Sequence, residues 1–204
     1  LNEITQKFVA KAYQTMMFFP YFLSWVVASY FVLAFLDPTR GLLTHWMSAH
    51  GMTPIQWYSE PKYWPYILTI CNVWKNTGYS TILYLAAITG IDSELYDAAK
   101  VDGANKIQSI LHITIPGIMP TYVVMFLLAV SNILSNGFDQ YFMFYNPMVA
   151  DKIEVLDYYV YKVGFYINDY SYSITLGMLK SILGIVLLFT ANALSKKIRG
   201  ESIV

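Results

Sequence analysis

The residues that could hold a metal ion or act as nucleophiles are few and scattered along the chain. The histidines His45, His50 and His112 form no i, i+4 pair and have no cysteine near them, whereas a metal site needs several ligands close together. The single cysteine, Cys71, excludes a disulfide framework. The phosphate-binding sequence G-x-x-x-x-G-K-[ST] is absent. We therefore expect no catalytic residue, no metal and no nucleotide bound by this chain.

Charged and capping residues do cluster in one segment, residues 92–116. Asp92 or Ser93 can cap a helix, because their side chains accept from the free N–H groups of its first turn. Gly103 can end that helix in a left-handed conformation, Asn105 can cap a second helix, and Pro116 would stop it. The residues that share one face of the first helix, with small alanines that permit close approach, are Leu95, Ala98, Ala99 and Asp102. The segment therefore predicts an exposed helix–turn–helix docking element.

Two lysines, Lys75 and Lys180, lie inside otherwise uncharged stretches. A charge in a membrane is costly and faces a protein interior or a water-filled cavity. Each lysine therefore either lines a solute pathway or has a structural role between helices. Other side chains that could line such a solute pathway, or could form ordinary interhelical hydrogen bonds, are Asn72, Trp74, Asn76, Asn132 and Asn136.

A tyrosine-rich stretch has two interpretations. Its members could contact a partner protein or a solute, or they could form an aromatic belt at the membrane interface. They are Tyr158, Tyr159, Tyr161, Tyr166, Tyr170 and Tyr172.

The composition indicates which elements must position these residues. The 204 residues are 56% hydrophobic and only 13% charged, whereas soluble chains average about 25% charged residues. Thirteen Lys and Arg balance thirteen Asp and Glu, so nothing resembles the basic excess of a nucleic-acid binder. With a mean hydropathy of +0.44, the apolar surface is too large for one soluble core. We expect an all-α, polytopic membrane helical bundle.

Apolar stretches predict four membrane spans, at about residues 12–36, 64–90, 118–136 and 171–195. Each is long enough to cross a hydrocarbon layer of about 30 Å. The basic "SKKIR" end favours cytoplasmic termini, which makes the 92–116 loop cytoplasmic. We treat residues 1–204 as a single transmembrane domain. Because Leu1 is not an initiator methionine and a polar sequence follows it, we expect N-terminal spans to be missing.

The segment "DAAKVDGANKIQSILHITIP" resembles the EAA loop of bacterial ABC importer permeases, E-A-A-x3-G-x9-I-x-L-P. Asp97 replaces the usual Glu and Ile115 the usual Leu, and both changes keep the character of the site. Longer stretches such as "VWKNTGYSTILYLAAITGID" and "LKSILGIVLLFTANALSKKI" resemble the polysaccharide and multiple-sugar permease branch. The motif positions are occupied by Asp97, Ala98, Ala99, Gly103, Ile113 and Pro116.

The resemblance implies a type I importer (MetI-like) transmembrane fold in the bacterial plasma membrane. It also implies that the loop couples the chain to cytoplasmic ATP-binding subunits, which hold the ATP and Mg²⁺. The further partners it implies are a second, different permease, an extracytoplasmic solute-binding protein, an oligosaccharide and membrane lipid.

Three alternatives stay open. A permease of the same class could carry a solute other than a sugar. A secondary carrier or channel would need an intramembrane acidic relay or inverted repeats, and the predicted spans contain neither Asp nor Glu. A membrane-embedded enzyme would need clustered histidines or carboxylates at the membrane surface.

Overall fold

The computed structural model describes residues 6–135 and 137–199, and within these ranges the chain forms helices and no strand. The α-helices are α1 (Lys7–Phe22), α2 (Trp25–Leu36), α3 (Leu42–Ala49), α4 (Trp64–Thr89), α5 (Ser93–Val101), α6 (Lys106–Ser109), α7 (Ile115–Ser131), α8 (Phe138–Phe144), α9 (Ala150–Ile153), α10 (Leu156–Phe165) and α11 (Tyr170–Arg199). Short 3₁₀ turns, Trp57–Ser59 and Pro61–Tyr63, precede α4. A π-helical turn, Ile110–Thr114, joins α6 to α7.

The first apolar stretch contains two helices, α1 and α2, which are bent by 102° at a short break. Pro20 lies inside α1, and the break comes after it, at Leu23 and Ser24. The Ser24 side chain accepts a hydrogen bond from the Val27 N–H (3.2 Å) and so caps the new helix. The serine cap thus determines where α2 begins.

Among the described residues, two helices are long and apolar enough to cross a membrane, Lys106–Ser131 and Tyr170–Lys196. The bent α1–α2 pair would be a third if it is one span. The 26-residue α4 is not among them, and it carries Asn72, Lys75 and Asn76 near its middle. Only 11% and 0% of the apolar windows of the two helices are buried within the chain. Their apolar surfaces therefore need lipid or other protein chains around them.

The described residues divide into two compact units, and α1, α4 and α11 each contribute to both. The first unit comprises the described residues within Leu1–Phe18, Thr77–Ile133 and Leu183–Val204. The second comprises the described residues within Phe19–Asn76 and Leu134–Ile182.

The core of the second unit lies around the start of α4. The Trp64 side chain is completely buried, and its indole Nε1 donates to the Trp57 carbonyl oxygen (2.9 Å), so the 3₁₀ turns are fastened to the helix. The buried residues of this core are Trp64, Leu68, Cys71, Phe144, Val149 and Ile153. The core packs α4 against α8 and α9. This packing determines which face of α4 lies against α8.

In the first unit, small residues allow helices to approach closely. A Cβ on Gly78 of α4 would collide with the backbone of α1 at Met17 and Phe18. A Cβ on Gly184 of α11 would lie 3.2 Å from the Ser131 carbonyl oxygen of α7. Glycine at such crossings is typical of helix packing in membranes, because it lets backbones meet without intervening side chains.

One prediction about the 92–116 loop is wrong. Pro116 does not stop the second helix, because Lys106–Ser131 is one continuous helical stretch. Proline in a helix lacks an N–H for the carbonyl four residues earlier and crowds that carbonyl. The wider π-helical turn Ile110–Thr114 stands immediately before Ile115 and Pro116, where it absorbs this irregularity. Pro116 thus falls in the first turn of α7, a position that tolerates proline.

Candidate docking loop and solute cleft

The first half of the loop is the helix α5, which is capped at both ends by its own sequence. The Asp92 carboxylate accepts a hydrogen bond from the Glu94 N–H (2.9 Å), and Glu94 lies in the first turn, where the positive end of the helix dipole favours it. Within the helix Lys100 forms an ion pair with Asp97 (2.9 Å). Both partners are well exposed, so the pair contributes little to stability.

A Schellman turn closes α5. The Ala104 N–H donates to the Ala99 carbonyl (2.9 Å), and the Gly103 N–H donates to the Lys100 carbonyl (3.1 Å). Gly103 has φ of +77°, the left-handed conformation that the sequence predicts. No atom lies within 4 Å of a Cβ built on Gly103, so backbone conformation, not crowding, requires glycine here.

The second half of the loop starts with a capping box. The Asn105 side chain accepts from the Gln108 N–H (2.9 Å), and the Gln108 side chain accepts from the Asn105 N–H (2.7 Å). A hydrogen bond between the Tyr96 and Thr114 hydroxyls (2.9 Å) then ties α5 to the π-helical turn. The two halves therefore form one braced element that continues directly into α7.

The surface of this element is exposed, and apolar side chains stand among its charged residues. No residue of α5 is buried, and Leu95 remains 53% exposed. Other apolar side chains on the loop that are largely exposed are Val101, Ile107 and Leu111. Exposed apolar groups on a polar loop are typical of a surface that a partner covers.

The structure places the residues of the predicted docking site on this element. Ala99 and Ile113 are half-buried and line a shallow cleft of about 340 Å³ together with Asp102 and Gly103. The others are exposed: Leu95, Asp97, Ala98 and Pro116.

A second candidate site is a polar cleft of about 200 Å³ between α4 and α8, in the second unit. The Gln140 side chain is 2% exposed, and its Nε2 donates to the Leu68 carbonyl (2.8 Å). Its Oε1 accepts a hydrogen bond from Asn72 Nδ2 (3.1 Å). Gln140 therefore holds the exposed Asn72 amide in one orientation. Asn72 Oδ1 accepts no hydrogen bond from the described residues, and it is the kind of acceptor that a sugar hydroxyl could use.

Sequence reasoning missed Gln140. The signal for it was a single amide within the aromatic sequence "FDQYFMF", directly after Gly137. A polar side chain that is buried among aromatic residues needs hydrogen-bond partners, and here these come from another helix. The partner was not predictable because Gln140 and Asn72 are 68 residues apart in the chain.

The remaining candidates for a solute pathway are not all in this cleft. The Asn76 amide donates to the Asn72 backbone carbonyl (3.0 Å), whereas Trp74 lines a separate apolar cleft with Phe19 and Phe35. Asn132 belongs to the first unit, and its amide donates to the Leu128 carbonyl of its own helix (2.9 Å). Asn136 lies outside the described residues.

The two lysines of the apolar stretches both have partners. Lys180 of α11 forms an ion pair with Asp157 at the start of α10, and both side chains are mostly buried, 20% and 16% exposed. Lys75 is 8% exposed, and its Nζ donates to the Tyr21 carbonyl (2.7 Å). Lys180 therefore has the arrangement expected of a structural residue, with its charge neutralised inside the second unit.

The tyrosine-rich stretch separates into two groups. Tyr158 is buried, and Tyr161 packs in an aromatic cluster with Phe138 and Phe142. The tyrosines with largely exposed rings are Tyr159, Tyr166, Tyr170 and Tyr172. Tyr158 and the half-buried Tyr161 are part of the packing of α8 against α10, so the exposed group is the one available to a partner or a membrane interface.

One charged pair borders this cluster. Lys162 donates to the Glu154 carboxylate (2.7 Å), and its ammonium lies 5.9 Å from the Tyr145 ring centroid. The hydrogen bond with Glu154 raises the pKa of Lys162 above its usual value, which keeps the charge beside the aromatic rings.

The fold and the loop together define a class: a helical chain with long apolar helices and an exposed, well-capped helix–turn–helix loop between two of its longest helices. Residues 1–200 match the family of binding-protein-dependent transport system inner membrane components, and the chain belongs to this family. The resemblance that the loop motif indicated is thereby confirmed.

Relatives and solved structures agree with this assignment. The chain is 32% identical to the protein LplB and 34% identical to the polygalacturonan/rhamnogalacturonan transport system permease protein YteP, both of Bacillus subtilis (strain 168). These matches cover 100% of this chain and 64% and 63% of the relatives, so the chain spans less than two thirds of their length.

A bacterial alginate ABC transporter, solved in complex with an alginate pentasaccharide-bound periplasmic protein, has the same fold. The TM-score is 0.92 at 32% sequence identity, and the match covers 99% of this chain and 70% of that one. The prediction of an all-α ABC importer transmembrane fold is therefore confirmed.

Proposed function

We propose that this chain is the permease subunit of an ATP-driven importer that moves an oligosaccharide across the bacterial plasma membrane. The observation that carries the proposal is the match of the entire chain to a permease and a transporter whose names specify polysaccharides. The absence of Asp and Glu from the predicted spans disfavours a secondary carrier, which would need an acidic relay.

The loop at residues 92–116 is the element we propose to dock on a cytoplasmic ATP-binding subunit. Protein interfaces have an apolar core that is depleted of charge, and exposed Leu95, Val101 and Ile107 could supply one. ATP and Mg²⁺ would be bound by that partner, and this chain would hydrolyse no ATP alone. In this proposal both termini and the loop face the cytoplasm.

Two further partners complete the proposed assembly. An extracytoplasmic binding protein would deliver the sugar, which is supported by the alginate transporter structure in complex with an alginate pentasaccharide-bound periplasmic protein. A second, different permease and lipid would cover the apolar surfaces of α7 and α11, which the chain itself leaves exposed.

We assign the first contact with sugar hydroxyls to Asn72, oriented by Gln140. An amide oxygen accepts from a hydroxyl, and a site made of a few fixed polar groups gives a pocket its specificity. Asn76, Trp74, Asn132 and Asn136 remain candidates for other positions along the pathway.

The function is tested by uptake of labelled oligosaccharides in cells that lack or carry the gene. We expect deletion to abolish uptake of one saccharide class, the restored gene to recover it, and ATP-binding subunits to co-purify with the permease. A purified chain that hydrolysed ATP alone would contradict the proposal. If another solute class were lost instead of a saccharide, the permease assignment would stand and the sugar assignment would fail.

Replacing Gln140 by leucine should raise the oligosaccharide concentration that gives half-maximal uptake by about tenfold. The change removes the partner of Asn72, and tenfold corresponds to about 1.4 kcal/mol, the size of one hydrogen bond. Uptake is measured on vesicles over a range of oligosaccharide concentrations. Thr69→Val is the matched control, because Thr69 lines the same cleft but donates only to the Pro65 carbonyl of its own helix. Equal increases in both variants would remove Gln140 from the solute site.

A further inference from the structure

The break between α1 and α2 places the end of one helix beside the start of another. The N-terminus of α2 is capped by Ser24, whereas the last turn of α1 contains no basic residue and no glycine follows it. The last carbonyls of a helix have no intrahelical N–H partner, so a donor from another element can stabilise them. The Leu23 N–H satisfies the Pro20 carbonyl (3.2 Å), one residue before Tyr21.

Lys75 supplies a donor to this helix end from a different helix. Its Nζ lies 2.7 Å from the Tyr21 carbonyl oxygen, in the last turn of α1. Helix C-termini carry a partial negative charge, so a cation is the complementary group. The ammonium also lies 5.4 Å from the Tyr21 ring centroid and 5.5 Å from that of Trp25, the first residue of α2. It thus contacts residues on both sides of the break.

The surroundings of Lys75 do not suit a solute ligand. The residue is 8% exposed, whereas Asn72, less than one turn away on α4, is exposed in the polar cleft. The ion pairs formed among the described residues do not include Lys75. Its charge is therefore balanced by the helix end and the two rings.

We propose that Lys75 is a positioning residue that caps the C-terminus of α1 and fixes the break between α1 and α2. Lys75 belongs to α4, and α4 leads directly into the docking loop at Ser93. A shift of α4 along its axis relative to the end of α1 would stretch or break this buried bond. The break is therefore mechanically joined to the helix that carries the loop, and its effect on uptake rests on the proposed function.

The test is hydrogen exchange on the assembled transporter. In Lys75→Met, we expect exchange in a peptide covering residues 19–27 to rise about tenfold, while a peptide covering α3 stays unchanged. Lys75→Arg should restore slow exchange, because it returns a donor and a charge. Lys62→Met, at an exposed loop lysine paired with Glu60, is the control without effect.

Uptake measured on the same variants separates the possible roles of Lys75. We expect about a tenfold loss in Lys75→Met and recovery in Lys75→Arg. Loss of uptake with unchanged exchange would overturn the proposal, since it would indicate contact with the solute. Faster exchange throughout the chain would also overturn it, since that would indicate general misfolding.

If Lys75→Met does not assemble, Lys75→Gln replaces it, and unchanged exchange in that variant would again refute the cap. A wild-type transporter that carries no saccharide refutes the proposed function, but the exchange result still tests the cap.

Discussion

Valine in place of Gly103 is expected to reduce uptake by at least about tenfold and to weaken co-purification of the ATP-binding subunits. Gly103 has φ of +77°, and β-branched residues strongly disfavour this region. The strain, about 1–2 kcal/mol, would be relieved by opening the turn that closes α5. Ala99 would then lose its hydrogen bond from Ala104, and the path from α5 into α6 would change. Opening this one turn would be enough to weaken docking, because the docking face depends on how α5 and α6 are placed relative to each other.

The chain contains a matched control for this experiment. Gly51 has φ of +71°, and a Cβ added to it would meet no atom within 4 Å. It closes α3 with the same pair of hydrogen bonds, from Gly51 to Ser48 and from Met52 to Met47. Gly51→Val should therefore carry the same backbone strain without touching the docking loop. If both variants reduced uptake and co-purification equally, the result would contradict the proposed role of the loop.

The second large effect is expected at the buried ion pair of Lys180 and Asp157. Lys180→Met should destabilise the assembled permease by about 3 kcal/mol, because it leaves a mostly buried carboxylate without its counterion. Thermal unfolding of the solubilised complex is the measurement.

The double variant Lys180→Met with Asp157→Asn distinguishes charge from packing. It removes both charges, so most of the lost stability should return, since replacing a whole buried pair is often nearly neutral. A double variant as unstable as Lys180→Met would assign the loss to packing of the methionine. Wild-type stability in Lys180→Met would show that Asp157 is adequately solvated without its partner.

Local features of the docking loop could be predicted from the sequence because their causes are local. Asp92 caps α5, Gly103 takes the left-handed conformation and Asn105 starts the next helix, and each acts within a few residues of itself. The family motif lies in the same twenty residues. The functional use of these residues stays a prediction.

Features that depend on distant parts of the chain could not be predicted. The sequence indicates that a lysine at position 75 is costly in an apolar helix. It does not indicate that the side chain faces Tyr21 instead of the cleft lined by Asn72, because packing sets the rotation of α4. The partners of Gln140 and Lys180 are likewise on other helices. Pro116 misled because proline usually ends a helix, and the π-helical turn that accommodates it has no strong sequence signature.

That π-helical turn also determines the rotation of the residues of α7 that follow it about the helix axis. Each residue of an α-helix turns the chain by about 100°, so a widened turn holds about one residue more than regular winding would. Val123 and Leu127, one turn apart on α7, are buried, and the direction in which they point depends on how many residues precede them in the helix. Deleting a single residue from Ile110–Thr114 would rotate this inward pair by about 100° relative to the docking loop. The number of residues between the loop and the buried face of α7 therefore fixes their relative rotation. An insertion or deletion between them would change the structure far more than a substitution.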